Sequence, residues 1–250
     1  MNEVSFVIFF IFGLIFGSFF NVVGIRVPRK ELFIHERSKC PACKHTLHWS
    51  ELIPIVSFIL QKGKCKHCSE RISNIYPLIE GITGLLFAIS YIKFGLNWEL
   101  LIALIFISML MIVTVSDIRY MVIPNRILFF YVPIFIFLRI VHPLHPWWSF
   151  IIGGIVGYVV VAIIILISKG GMGAGDMKLL AVSGIVLGVK NVLLAFFIAS
   201  LTGAVIGGFL LLLKKIEKKQ PIPFGPYIVI GVVVAYFYGD SIIGWYAQML

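Results

Sequence analysis

The sequence predicts an all-α polytopic membrane protein of about eight transmembrane helices, on three observations. Apolar residues make up 60% of the 250-residue chain and charged residues 13%, with a mean hydropathy of +1.04. A soluble domain of that composition would expose a large apolar surface to water, so the surrounding solvent is lipid. The apolar residues form continuous runs, such as 100–115, and not the alternating pattern of a membrane β-barrel. A bilayer core of roughly 30 Å takes about 20 helical residues per crossing, which leaves room for seven or eight spans and one modest polar insert.

The first run, 4–25, carries no charge, no basic segment before it and no small-residue cleavage site, so it is expected to be a retained span. Residues 26–76 change character, with ten Lys/Arg, four Glu and all four cysteines. Apolar runs follow at about 77–92, 100–116, 127–141, 147–168, 177–189, 192–213 and 227–245. The expected division is therefore a first span (1–25), a polar insert (26–76) and a seven-span membrane domain (77–250).

A net charge of +10 raises the question of nucleic acid, but its distribution points to topology. With the insert in the cytosol, alternating crossings also place 117–126, 169–178 and 214–219 there. Those four segments hold eighteen of the 21 basic residues, leaving Lys93, Arg139 and Lys190 in the outer links. Such sorting follows the positive-inside rule and favours lipid attraction over nucleic-acid binding. The run 177–189 gives only about 20 Å of helix and is the shortest crossing. Trp98, Trp147, Trp148 and Tyr227 suit interfacial belts.

Of the eleven carboxylate side chains, Glu80, Asp117 and Asp176 fall at membrane boundaries, all on the cytosolic side in this topology. Ionisable groups at membrane depth default to a functional reading. Two carboxylates can hydrolyse a peptide, one taking a proton from water while the other hydrogen-bonds the scissile carbonyl. Gly170, Gly171, Gly173 and Gly175 precede Asp176, and glycines let a substrate backbone approach closely; Lys178 can tune the acid's charge. Structural alternatives exist for each acid. Asp176 can serve as a helix N-cap, and Asp117 can pair with Arg119 or Arg126. The glycine run fits neither phosphate-binding pattern.

Cys40-Pro-Ala-Cys43 and Cys65-Lys-His-Cys68 form two knuckles separated by 21 residues, close to the spacing of a four-thiolate zinc site. Such a site stabilises an insert too small to bury a sufficient core, and four sulfurs leave no open position for catalysis. The insert is thus expected to be a small cytosolic zinc-knuckle domain, in a compartment that disfavours disulfides. His35, His45, His48 and His67 are the substitute ligands.

Taken together these residues resemble type IV prepilin peptidases, the bifunctional leader peptidase and N-methyltransferase enzymes of the GxGD aspartyl protease class. The resemblance runs through Gly17-Ser18-Phe19 and Asn21, the paired knuckles with Ile53-Pro54 and Ser57 between them, and Tyr76-Pro77 with Glu80. It continues through Asp117-Ile118-Arg119, Ile123-Pro124-Asn125, Gly173-Ala174-Gly175-Asp176-Met177-Lys178 and Pro223-Phe224-Gly225-Pro226. It implies cleavage of the basic leader of prepilins or pseudopilins at the cytosolic face of the bacterial cell membrane, with Asp117 and Asp176 as the catalytic pair. It further implies methylation of the new N-terminus from S-adenosylmethionine, in a region that includes Glu80. Overall similarity is greatest to the competence-type enzymes of Gram-positive bacteria. Two other readings use the same residues: an ion-coupled transporter built on the carboxylates, and a non-enzymatic scaffold displaying the knuckles.

Overall fold

A computed structural model describes residues 2–31, 37–168, 171–213 and 222–249. His35, Glu36, Lys169, Gly170 and the basic cluster 214–219 lie outside the described residues. Among these residues the helices are α1 (Asn2–Arg26), α2 (Val56–Leu60), α3 (Ile75–Phe94), α4 (Trp98–Tyr120), α5 (Asn125–Val141), α6 (Ser149–Ile167), α7 (Ala174–Leu212) and α8 (Gly225–Ala247), with a 3-10 turn at Trp49–Glu51. Extended pairing among the described residues amounts to two isolated bridges, Lys39 with Thr46 and Lys64 with Arg71.

Six of these helices, α1, α3, α4, α6, α7 and α8, are long and apolar enough to cross a bilayer. Helix α5 has 17 residues and Pro133 inside it. Helix α7 runs for 39 residues, which at 1.5 Å per residue is about 58 Å, nearly twice a hydrocarbon core. It is interrupted at Gly188, whose φ of 74° and ψ of 179° are not helical. The eight expected runs thus correspond to α1, α3, α4, α5, α6, the two segments of α7, and α8. The protein is an all-helical, multi-pass membrane protein.

The chain divides into two compact units, Met1–Val115 and Ser116–Leu250. In the first, α1 and α3 pack through small residues. A Cβ on Gly13 would lie 2.6 Å from the Cα of Gly84, and one on Gly17 would lie 2.8 Å from the Cα of Glu80. Gly13 and Gly17 form the G-x-x-x-G spacing that lets membrane helices approach through van der Waals contact. Farther along α1, Gly24 meets Val115 of α4.

In the second unit, Gly153, Gly157 and Gly184 bring α6 and α7 into backbone contact, and Gly231 brings α8 onto α7 at Ala195 and Ala199. The interruption in α7 is held from two sides. The Val189 N–H donates to Ser149 Oγ at 3.2 Å, and Arg139 Nη2 donates to the Val186 carbonyl at 2.8 Å. Arg139 is 2% exposed, so its place among the charges of the outer links is corrected here. Its guanidinium serves a carbonyl next to the helix break, where the regular i to i+4 ladder is lost.

Candidate active site and cysteine cluster

The first candidate acid, Asp117, lies in the last turn of α4. Met121 adopts a left-handed φ of 53°, and its N–H returns to the Asp117 carbonyl at 2.8 Å. The Ser116 hydroxyl donates to the Val122 carbonyl at 2.6 Å, fixing the turn that leads to Ile123-Pro124-Asn125. That turn meets the start of α7. A Cβ on Gly175 would lie 3.0 Å from the Cβ of Ile123, and Lys178 Nζ donates to Asn125 Oδ1 at 3.0 Å. The glycine at 175 therefore makes room for Ile123, a packing role that the sequence alone did not disclose.

Asp176 is the third residue of α7, with Gly173 as N-cap. The expected N-cap position for Asp176 is corrected by three residues. Its Oδ2 still accepts the Gly173 N–H, at 3.1 Å, so the acid satisfies a donor at the exposed start of its own helix. Asp117 does not take Arg119 or Arg126 as partner. Its Oδ2 accepts the N–H of Gly225, the first residue of α8, at 2.9 Å. A Cβ at 225 would stand 2.6 Å from that same oxygen, so only glycine brings this amide to the acid without displacing it. Both carboxylates therefore sit at helix N-termini, where backbone N–H groups and the helix dipole favour negative charge.

The side chains are buried, Asp117 at 5% and Asp176 at 7% exposure, and the two interact electrostatically. Segments 116–125, 173–178 and 223–226 thus meet around one pair of acids. Each carboxylate has one oxygen engaged by a single backbone amide. This arrangement can share a proton between two acids and orient a water molecule between them.

Glu80, in the first unit, is buried and accepts two hydrogen bonds, from the Ile55 N–H at 2.8 Å and from the Ser18 hydroxyl. Ile55 holds a φ of 59°, a conformation β-branched residues rarely adopt. One turn away, Asn21 Nδ2 donates to the Tyr76 carbonyl at 3.2 Å, while its buried Oδ1 has no protein donor. Ser18, Asn21, Tyr76 and Glu80, which carried the resemblance in this half, thus gather in one polar cluster between α1 and α3.

The four cysteines come together. The Sγ atoms of Cys40, Cys43, Cys65 and Cys68 all lie within 4.8 Å of one another, with Cys40 and Cys68 at 3.8 Å. Four zinc–sulfur bonds of about 2.3 Å in a tetrahedron give sulfur separations of about 3.8 Å, so the cluster can hold a metal ion. The two knuckles repeat one backbone pattern at an offset of 25 residues. Cys40 N–H donates to the His45 carbonyl and Cys65 N–H to the Glu70 carbonyl, both at 2.9 Å. Lys44 and Ser69, each following the second cysteine of its knuckle, have φ of 61° and 57°. Backbone amides of Cys68 and His67 donate to the Cys65 sulfur and lower its thiol to about 7, whereas at Cys68, against the lowering effect of the Glu70 amide, burial and the other three sulfurs push the thiol up to about 12. The rings of His45 and His67 lie with centroids 3.5 Å apart, tilted by 35°, outside the sulfur set, and His48 faces Ser50.

A multi-pass helical protein carrying a buried pair of boundary carboxylates and a four-sulfur knuckle is a membrane hydrolase in outline. The comparisons agree. The sequence pattern of the bacterial peptidase A24 N-terminal domain matches residues 11–94, and that of the type IV leader peptidase family matches residues 104–208. A prepilin leader peptidase/N-methyltransferase of Bacillus subtilis is 49% identical, covering 97% of this chain and 98% of the relative. Proteins of the same name from Aeromonas salmonicida and Pseudomonas aeruginosa are 33% and 31% identical, covering 96% and 94% of this chain and 93% and 91% of their own. No solved structure matches the chain. The chain belongs to the type IV leader peptidase family. The transporter reading finds no support in these relatives.

Proposed function

We propose that this protein is an aspartyl endopeptidase that cuts the basic leader from type IV prepilins or pseudopilins at the cytosolic face of the cell membrane, with Asp117 and Asp176 as its catalytic pair. The observation that carries this is the pair itself: two buried, interacting acids, each holding one oxygen against a backbone N–H at the start of a helix. The ionised partner removes a proton from water as the water oxygen attacks the scissile carbonyl carbon. The protonated partner donates to the carbonyl oxygen, giving a neutral tetrahedral diol. Return of a proton to the leaving nitrogen then breaks the C–N bond.

Gly173 leaves room beside Asp176 for a peptide backbone, Gly175 seats Ile123 against the start of the same helix, and Lys178 sets the charge nearby. The positive-inside distribution of Lys and Arg supports the cytosolic orientation. A boundary site suits a substrate whose cut lies beside an apolar helix. The resemblance of the sequence to competence-type enzymes supports pseudopilins of that type as substrates. The functional division follows the chain: first span 1–25, insert 26–76, and a peptidase domain over 77–250.

The four cysteines would hold a structural Zn2+, which when bound crosslinks the two knuckles. The names of the relatives also support N-methylation of the cut product from S-adenosylmethionine, which when bound supplies the methyl group. Glu80 and the orphaned Asn21 Oδ1 present acceptor oxygens, a donor set suited to a cationic group such as a sulfonium or an ammonium. Mass spectrometry of a prepilin substrate after incubation with the enzyme and S-adenosylmethionine tests both activities. A cut before the apolar helix that disappears in Asp117→Asn and Asp176→Asn supports the peptidase; cleavage retained in both variants overturns the pair.

A further inference from the structure

The connector between the two knuckles is apolar where the rest of the insert is charged. Across 49–60, Trp49, Leu52, Ile53, Val56, Ile59 and Leu60 are exposed, with Trp49 at 68%, Ile59 at 66% and Leu60 at 76%. A contiguous apolar surface on a small polar module marks a contact with something other than water.

Two observations identify the occupant. The first is depth. The Ile55 N–H binds Glu80 Oε2 at 2.8 Å, and the Ile55 side chain reaches to 3.6 Å from where a Gly81 Cβ would stand. Glu80 is the sixth residue of α3, about 7.5 Å along its axis, at a level where Leu78 and Ile82 already face outward. The connector therefore lies beside the apolar part of a membrane-spanning helix, continuous with its lipid-facing surface. The second is charge. Lys44, Lys62, Lys64 and Lys66 are exposed around the connector, and residues 26–76 carry ten basic against four acidic side chains. Exposed tryptophan, aliphatic side chains and flanking lysines together make the composition of an interfacial membrane anchor.

We propose that 49–60 is such an anchor, with Trp49, Leu52, Val56, Ile59 and Leu60 entering the leaflet that holds the end of α1 and the start of α3. Lys62, Lys64 and Lys66 meet the headgroups of anionic lipids. The knuckles are thereby held against the membrane surface and do not swing on flexible tethers. The hydrogen bond from Ile55 to Glu80 fixes the register of the anchor against α3, which accounts for the left-handed φ at Ile55.

The test uses the full-length protein in vesicles of phosphatidylcholine and phosphatidylglycerol. The emission of Trp49 is taken as the difference between wild type and Trp49→Phe. Lipids brominated near the headgroup are expected to quench it at least about twofold, and aqueous iodide to quench it little. The double variant Ile59→Glu, Leu60→Glu changes only exposed side chains. It should reverse that ranking with metal content unchanged, the latter confirming folded knuckles. Quenching by iodide but not by brominated lipid would overturn the anchor. Protection from iodide that arises only on adding a prepilin peptide would also overturn it, and would assign the surface to a protein partner.

Discussion

The cysteine cluster and the carboxylate pair are both sets of polar side chains gathered in a mostly apolar protein, yet they are assembled in opposite ways. The cysteines come as two local knuckles, each shaped by hydrogen bonds within six residues and a left-handed residue after the second sulfur. The knuckle pattern repeats, so one local solution serves twice. The acids combine one local contact with several distant ones. Asp117 depends on an amide 108 residues away, and Asp176, although it accepts the N–H of nearby Gly173, sits on a helix start whose Gly175 accommodates Ile123 from the α4–α5 turn. A metal site can thus be built by the chain near each ligand, whereas this acid pair is only as well placed as the helices that carry it.

Four experiments break or sharpen that contrast. The largest effect is expected from Asp117→Asn or Asp176→Asn. Leader cleavage should fall about 10³-fold or more, with metal content unchanged, as removal of a general acid or base requires. Next, Cys40→Ser with Cys65→Ser should reduce bound zinc from one equivalent to none, measured by atomic emission. The insert should then exchange its amide hydrogens rapidly while α6–α8 keep their protection, since structural zinc contributes about 10 kcal/mol or more to small knuckles.

Gly225→Ala tests whether the pair is held from a distance. Loss of one amide donor to a carboxylate is worth about 1.5–3 kcal/mol, so kcat should drop about 10- to 100-fold with KM little changed. A normal rate in that variant would show that α8 does not position Asp117. The smallest effect is expected for Lys178→Met. Its exposed hydrogen bond to Asn125 should be worth under about 1 kcal/mol, a change of a few-fold in kcat/KM.

Several elements were legible because their cause is local. Continuous apolar runs gave the helices, and the short run 177–189 anticipated a segment that stops at Gly188. The knuckle spacing gave the four clustered sulfurs. Others carry a sequence signal whose packing role appears only in three dimensions: Gly13 and Gly17 have the spacing of a helix-packing motif, and Gly225 follows an aromatic residue and precedes a proline at a helix start. Arg139 shows the limit. In the sequence it is a charge near the end of an apolar run, and nothing within ten residues indicates that its partner is the Val186 carbonyl.

The sequence by itself determined that this chain lives in a bilayer, that it carries a four-sulfur knuckle, and that Asp117 and Asp176 are the acids to watch. Composition, periodicity and short spacings are properties of contiguous chain, and they survive without a third dimension. The tertiary structure decided which backbone amides the acids meet, where α7 breaks, and that the connector 49–60 lies beside α3. Those outcomes depend on how closely helices approach one another. Glycine contacts between distant segments set that approach, and the linear order of residues does not display it.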